Sequence, residues 1–206
     1  MDKHKKSVVF VRHGETEWNV KQRLQGHKNT PLTREGIKRI EALAHRLSTY
    51  DFDAAYSSDQ LRAVETARII LQKSQLEIIK DERLRERSFG ILEGLNRDEI
   101  KQKHPEIWER MSARDPAYIF PEGETGNHFY NRTVAFFEEI ATQEHQNILV
   151  VSHGGVLTML VRYIMKLPAE APRHFAVPNA AFNRFTYAEN VWIIETLGDL
   201  SHDENR

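Results

Sequence analysis

Cysteine is absent from all 206 residues, which excludes a disulfide framework, a thiolate zinc ribbon, an iron–sulfur cluster and a thiol nucleophile. An excess of either charge is also absent, because 29 Lys and Arg stand against 30 Asp and Glu, a formal net charge of −1. A nucleic-acid-binding domain would normally be markedly basic, so no nucleic-acid partner is expected. No apolar run approaches transmembrane length. The basic start Met1-Asp-Lys-His-Lys-Lys6 is followed only by the short apolar stretch Val8 to Val11, too little for a secretory leader. The expectation is a cytoplasmic protein with no membrane partner. Nucleotide fingerprints are missing as well, since neither Gly-x-Gly-x-x-Gly nor Gly-x-x-x-x-Gly-Lys-Ser/Thr occurs. So are His-x-His, His-Glu-x-x-His and any clustered Asp/Asn calcium loop, which leaves no metal site to expect. Solenoid repeats and low-complexity linkers are not found.

What is present is an ordinary globular composition, 40% hydrophobic and 29% charged, long enough to bury a substantial core. Apolar runs of strand length alternate with helical patterns, which predicts a layered α/β fold. Strands are expected at Ser7–Val11, Ala54–Ser57, Leu76–Ile79 and Ile148–Ser152, and the polar-free runs among them suit a parallel sheet covered on both faces. Thr33 to Leu47 carries an apolar stripe of Ile37, Ile40, Leu43, Ala44 and Leu47; Asp59–Leu71 and Gly126–Ala141 also read as helices. Asn96-x-x-Glu99 resembles a capping box opening another helix, which Pro105 should end. Phe182–Tyr187 and Val191–Leu197 predict a closing hairpin, followed by a polar, frayed tail from Gly198 to Arg206. The stretch Gly14 to Leu32 greatly exceeds the about 2–6 residues of an ordinary strand–helix loop, and loops that long usually carry function. A second long connection is expected from Asp81 to Leu95.

Most of the ten histidines sit in polar surroundings, and His4, His45, His104, His145 and His202 read as ordinary surface residues. His27, His128 and His174 fall in loops. Two others share one grammar. Val8-Val-Phe-Val-Arg-His13-Gly and Ile148-Leu-Val-Val-Ser-His153-Gly-Gly each run from an apolar strand through one polar residue to histidine and glycine. In open α/β sheets, ligands bind outside the carboxyl ends of the strands, so the pair predicts one shared site. Arg62 falls in the first turn of a helix whose free N–H groups already favour an anion, with Ser58 as the expected N-cap. Together with Arg12, it predicts a site for a tetrahedral anion, because guanidinium forks match phosphate oxygens. A divalent cation would be repelled there.

Arg12-His13-Gly14-Glu15-Thr16-x-x-Asn19, Gln25-Gly26, Pro31-Leu-Thr33-x-x-Gly36, Ser57-Ser58-x-x-x-Arg62-Ala63-x-x-Thr66-Ala67, Leu84-x-Glu86, Phe89-Gly-x-x-Glu-Gly94 and Ser152-His153-Gly154-Gly155 together resemble the histidine phosphatase superfamily, also called phosphoglycerate mutase-like. The pattern is nearest to its short, cofactor-independent, broad-specificity phosphatases. The resemblance implies a three-layer α/β/α fold with a mostly parallel central sheet. It implies a single domain over residues 1–206 with a substrate-capping insertion at about residues 81–130.

The resemblance makes His13 the nucleophile, passing through a phosphohistidine that water hydrolyses, with no cofactor. Arg12, Arg62 and His153 complete the catalytic set by gripping phosphate and keeping His13 neutral. Asn19, Gln25, Gly26 and Gly154 join them in binding substrate. Family members of the acid type carry Asp directly after the second histidine, where this chain has Gly154. Leu84-x-Glu86 resembles the other arrangement and makes Glu86 the general acid, with Glu15 and Glu93 as alternatives. Ser88, where the mutase pattern has histidine, and His27, where tryptophan is common, favour a phosphatase acting on small phosphate monoesters over a phosphoglycerate mutase. A non-catalytic phosphate-binding domain is the alternative of a different class. Phe89, Trp108, Tyr118, Phe120 and Phe129 are candidates for an apolar lid, and His27, Lys28 and Arg85 for reading a second anionic group.

Overall fold

The computed structural model describes residues 5–203. In chain order its elements are β1 (Lys6–Arg12), α1 (Glu17–Val20), α2 (Arg34–Leu47), β2 (Ala54–Ser57), α3 (Leu61–Ile70), β3 (Ile78–Lys80), α4 (Arg97–Lys103), α5 (Pro105–Ala113), α6 (Gly126–Thr142), β4 (Asn147–Ser152), α7 (Gly154–Ile164), β5 (Phe182–Ala188) and β6 (Val191–Asp199). The six strands form one sheet in the order β3-β2-β4-β1-β5-β6. Its first four strands run parallel, while β5 pairs antiparallel with β1 and β6 with β5.

Period-two alternation divides each central strand between two cores. Val8, Phe10, Ile148 and Val150 face Phe136, Phe137 and Ile140 of α6 and Leu157 and Leu160 of α7. Val9, Val11, Leu149 and Val151 face Ile40, Leu43 and Leu47 of α2 and Ala63, Ala67 and Ile70 of α3. Helices therefore cover both faces, as the polar-free strand runs predict, and the fold has the expected three layers. A third, smaller core gathers Leu92, Ile100, Ile107 and Phe120, with Phe89, Trp108 and Tyr118 packed against it. Phe129 belongs instead to the main core, so it is not part of an exposed lid.

Several sequence expectations need correction. β3 begins at Ile78, two residues late, because Leu76 is held in a turn by the Ser74 hydroxyl, which accepts its N–H at 3.1 Å. Pro105 does end α4, but it also opens α5 from the first helical turn, where its missing N–H leaves no bond unmade. α7 was not expected at all. It is buried nearly all round, from Val156 to Val161, and so shows no polar face to reveal its period. Ile37 is exposed, because the inward face of α2 runs through Gly36, Ile40, Leu43, Ala44 and Leu47. The tail is not frayed up to Asp203. β6 continues to Asp199, which pairs with Arg46 at 2.7 Å, and Asp203 pairs with Arg39 at 2.8 Å. His202 is consequently half-buried, and burial lowers its pKa. His4 and residues 204–206 lie outside the described residues.

Candidate active site

Strand register converts the repeated histidine grammar into geometry. β1 and β4 are adjacent and parallel, with Arg12 opposite Ser152, and the His13 N–H continues the ladder to the Ser152 carbonyl at 2.8 Å. The next residue on each strand is therefore side by side with the other. The His13 and His153 rings lie 5.1 Å apart between centroids, and both are buried. His13 Nδ1 donates to its neighbour's carbonyl, Gly14 O, at 2.7 Å, which fixes the tautomer and leaves the lone pair on Nε2. That lone pair faces Arg62, whose Nε lies 3.3 Å away. His153 Nε2 meets the Ser58 hydroxyl at 2.9 Å, while its Nδ1 and Arg12 Nε are buried without a hydrogen-bond partner among the described residues.

Arg62 is fully buried and heavily committed. It donates to Gly26 O at 2.8 Å, Lys28 O at 3.0 Å and Gln60 Oε1 at 2.8 Å besides His13. Gln60, not Ser58, is the N-cap of α3, and it makes no side-chain cap; the Ser58 hydroxyl accepts the Gln60 N–H at 3.3 Å and also meets His153. Arg12 is anchored through the Val177 carbonyl at 2.5 Å. Burial lowers both guanidinium pKa values to about 10, so both stay charged at neutral pH. Burial, followed by the field of Arg62 and then other nearby charges, holds His13 and His153 well below the ordinary histidine value. Two neutral imidazoles thus lie close to two cations.

A stability consequence follows from that arrangement. Below about pH 6.5 the unfolded chain takes up protons that folded His13 and His153 refuse, so stability is complete above that pH and declines as pH falls through it. The slope is up to about 1.4 kcal/mol per pH unit for each group. The urea midpoint is expected to fall steadily between about pH 6.5 and 5, above the range where carboxylates titrate. A flat midpoint across that window would contradict neutral burial of the pair.

The long segment after β1 is ordered by side chains. Thr16 and Asn19 form a capping box at α1, Thr16 bridges Leu32, and the Thr33 hydroxyl donates to Glu15 at 3.0 Å. Gly26 takes a left-handed φ of 51°, and a Cβ there would lie 2.0 Å from Glu93 Oε1. Its carbonyl turns inward to Arg62 and to Gln60 Nε2, and Gln25 Oε1 accepts from Thr30. Both residues therefore shape the loop that holds Arg62. The Asn19 carbonyl oxygen takes up the local donors, leaving its amide nitrogen without a hydrogen bond among the described residues. Glu93 accepts from the backbone N–H groups of His27, Lys28 and Phe89 at 2.9, 3.2 and 3.1 Å, and Glu15 is tied to Thr33. Both carboxylates are thereby tied into the loop that follows β1.

Glu86 reaches the same place from the connection after β3. Its Oε2 accepts from Gly155 N at 3.0 Å, at the N-terminus of α7, and its Oε1 from Arg87 N at 2.8 Å. A Cβ on Gly155 would lie 2.0 Å from Glu86 Oε1, and one on Gly154 would lie 3.2 Å from Arg12 Nε, so both glycines admit their neighbours closely. The three residues expected to read a second anion are otherwise engaged. His27 Nε2 bonds the Glu86 carbonyl at 2.9 Å, Lys28 the Glu93 carbonyl at 3.2 Å, and Arg85 grips Asp59 through two bonds of 2.8 and 2.5 Å. His128 and His174 are exposed, and His128 lies in the first turn of α6 rather than in a loop, with its Nδ1 2.9 Å from Glu124.

Three contributors were not singled out from sequence. Asn179 donates to His13 O at 2.9 Å and to Asn19 Oδ1 at 3.2 Å, buttressing the turn after β1. Gln60 and Arg132 likewise bond backbone carbonyls around the site. No sequence pattern marks such contacts, because each joins segments far apart in the chain. Among the described residues, no group of three or more His, Asp or Glu is arranged to hold a metal ion, and no helix is long and apolar enough to cross a membrane.

The model of the histidine phosphatase superfamily (branch 1) matches residues 8–200. The chain belongs to that superfamily. A relative from Proteus mirabilis (strain HI4320), named "Probable phosphoglycerate mutase GpmB", is 38% identical over 203 residues, 95% of this chain and 94% of the relative. The solved alpha-ribazole phosphatase from Shigella flexneri has a TM-score of 0.87 at 31% identity, covering 94% of this chain and 96% of that one. A mycobacterial glucosyl-3-phosphoglycerate phosphatase has a TM-score of 0.81 at 26% identity, covering 94% and 99%. The motif resemblance and the fold expectation both hold, and the chain is an enzyme of a superfamily whose members here are phosphatases and mutases.

Proposed function

We propose that the protein hydrolyses small phosphate monoesters through a phosphohistidine at His13, with no metal in the reaction. The observation that carries this reading is the geometry of His13, whose Nδ1 hydrogen is spent on Gly14 O and whose Nε2 lone pair faces Arg62, while burial and the nearby Arg62 and Arg12 charges favour the neutral ring. Nε2 attacks phosphorus, forming the P–N bond as the ester P–O bond breaks. Arg12, Arg62, the two unpartnered nitrogens Arg12 Nε and His153 Nδ1, and the Asn19 amide receive the phosphoryl oxygens. They act by position and charge on a transition state with little covalent demand. Glu86, as the general acid, delivers a proton to the leaving alkoxide. The resulting carboxylate then takes a proton from water as that water attacks phosphorus, the P–N bond breaks, and inorganic phosphate leaves. The segment at about residues 81–130 caps the site. Within it, a cavity of about 240 Å³ lies beside Arg87, the residue after Glu86, and is lined also by Phe89, Tyr118 and Phe120. A cysteine-free chain acting on phosphorylated metabolites suits the cytoplasm.

Phosphoglycerate mutase activity is the second reading, favoured by the name of the Proteus relative. Against it, the chain carries Ser88 after Glu86-Arg87, and the Ser88 backbone is committed to Glu124 at 2.9 Å. Phosphate release from glycerol phosphate should persist in excess EDTA, and bisphosphoglycerate should not be needed. Loss of activity in EDTA would overturn the metal-free route, and phosphoglycerate interconversion outpacing hydrolysis would establish the mutase. Failure to release phosphate from any monoester would leave a binding domain. Glu86→Gln is expected to lower kcat/KM for glycerol phosphate by about 100-fold or more, but to spare dinitrophenyl phosphate, whose leaving group needs no proton. Equal loss on both esters would remove Glu86 as the acid.

A further inference from the structure

The segment that carries Glu86 has no regular structure of its own. One 3-10 turn ends at Leu84 and the next begins at Gly90, so the backbone groups between them need partners from outside. Four successive carbonyls find them in side chains. Arg132 of α6 donates to Arg83 O and Arg85 O at 2.7 Å each and to Glu86 O at 3.0 Å. The Ser152 hydroxyl takes Leu84 O at 2.7 Å, and His27 shares Glu86 O. The remaining Arg132 N–H bonds go to Glu124, at 3.1 Å from Nε and 2.7 Å from the terminal nitrogen, so all five are used. Glu124 in turn accepts the Ser88 N–H at 2.9 Å. One ion pair therefore clamps the segment on both sides of Glu86.

The pair is well shielded, with Arg132 and Glu124 side chains only 12% and 10% exposed. Burial pushes the Glu124 carboxyl up, but the Arg132 hydrogen bonds outweigh it and the group stays ionised. The Arg132 guanidinium also lies over the Phe129 ring at 4.7 Å. That ring reaches the Gly155 position, where the α7 N-terminus holds the Glu86 carboxylate. The main chain of Glu86 is thus fixed from α6 while its carboxylate is fixed from α7.

We infer that the Arg132–Glu124 pair is a positioning device that sets the Glu86 carboxylate at proton-transfer distance from the leaving group. This rests on the acid role proposed for Glu86, and it adds two residues that touch neither substrate nor phosphorus. A displacement of the order of 1 Å at an acid is enough to cost much of its contribution, because proton transfer demands hydrogen-bond reach.

The test compares kcat/KM, which reports the first phosphoryl transfer, for glycerol phosphate and dinitrophenyl phosphate. Arg132→Met is expected to lose about 30-fold on glycerol phosphate and less than about 3-fold on dinitrophenyl phosphate. Arg132→Lys, which keeps the charge and part of the grip, should fall between. Combined with Glu86→Gln, Arg132→Met should add no further loss on glycerol phosphate, since both act through one proton. Equal loss on the two esters, or losses that multiply in the double variant, would overturn the inference. Should Glu86→Gln discriminate between the esters while Arg132→Met does not, the positioning role alone fails. Should Glu86→Gln itself not discriminate, the acid reading fails and the positioning role with it. If Arg132→Met does not fold, Glu124→Gln loosens the same clamp and is read by the same ratio.

Discussion

His13→Ala is expected to lower phosphate release from every monoester by about 10,000-fold or more, activated aryl esters included, because it removes the group that forms the P–N bond. The neighbouring His153 cannot substitute. Its Nε2 is committed to Ser58, and the Arg62 Nε that addresses the nucleophilic lone pair is directed at His13. The fold should survive. Gly14 O loses the Nδ1 donor but keeps Asn179 within 3.3 Å, while buried Arg62 Nε loses its acceptor, so the stability cost is about 2–4 kcal/mol. A folded His13→Ala protein that still hydrolyses dinitrophenyl phosphate would remove the phosphohistidine from the mechanism.

Arg62→Met should damage stability and activity together. Its guanidinium is the common partner of Gly26 O, Lys28 O, Gln60 Oε1 and His13 Nε2, in a position with no solvent access. Removing it strands buried acceptors, at a cost of about 3–5 kcal/mol, and lowers the melting temperature by roughly 10 °C for a chain this long. Turnover should fall by about 1,000-fold or more, since a phosphate clamp and the loop around Gly26 are lost at once. Arg62→Lys separates the two effects. It retains the charge but not the planar fork, so it should recover part of the stability and little of the activity. Near-parental melting and turnover in Arg62→Lys would show that charge alone suffices, against the contacts described.

Sequence and structure agree where a single physical signal dominates. Val8–Val11 and Ile148–Val151 announced the two central strands because both faces of those strands are covered, and their shared histidine grammar announced the site because adjacent parallel strands end together. The stripe of α2 was legible from Ile40 onward for the same reason. α7 was not, since a helix buried nearly all round has no polar face to set its period. α5 is masked in the sequence because Pro105, which ends α4, also stands at the first position of α5. The tail looked frayed because its polar residues gave no hint that Arg39 and Arg46 on α2 would pair with it. Arg132 and Asn179 were invisible for a deeper reason. A side chain that satisfies backbone carbonyls of a remote segment has the sequence appearance of an ordinary surface polar residue, and only the folded path between segments reveals its task.

The central claim is that a covalent bond forms between phosphorus and His13. Mixing the enzyme with a radiolabelled phosphate ester, quenching in alkali within milliseconds and mapping the labelled peptide tests it directly. The label is expected on the peptide containing His13, stable in alkali and lost on mild acid treatment, as a phosphoramidate requires. Label on His153 or on a serine, or no label during steady turnover of an activated ester, would contradict it.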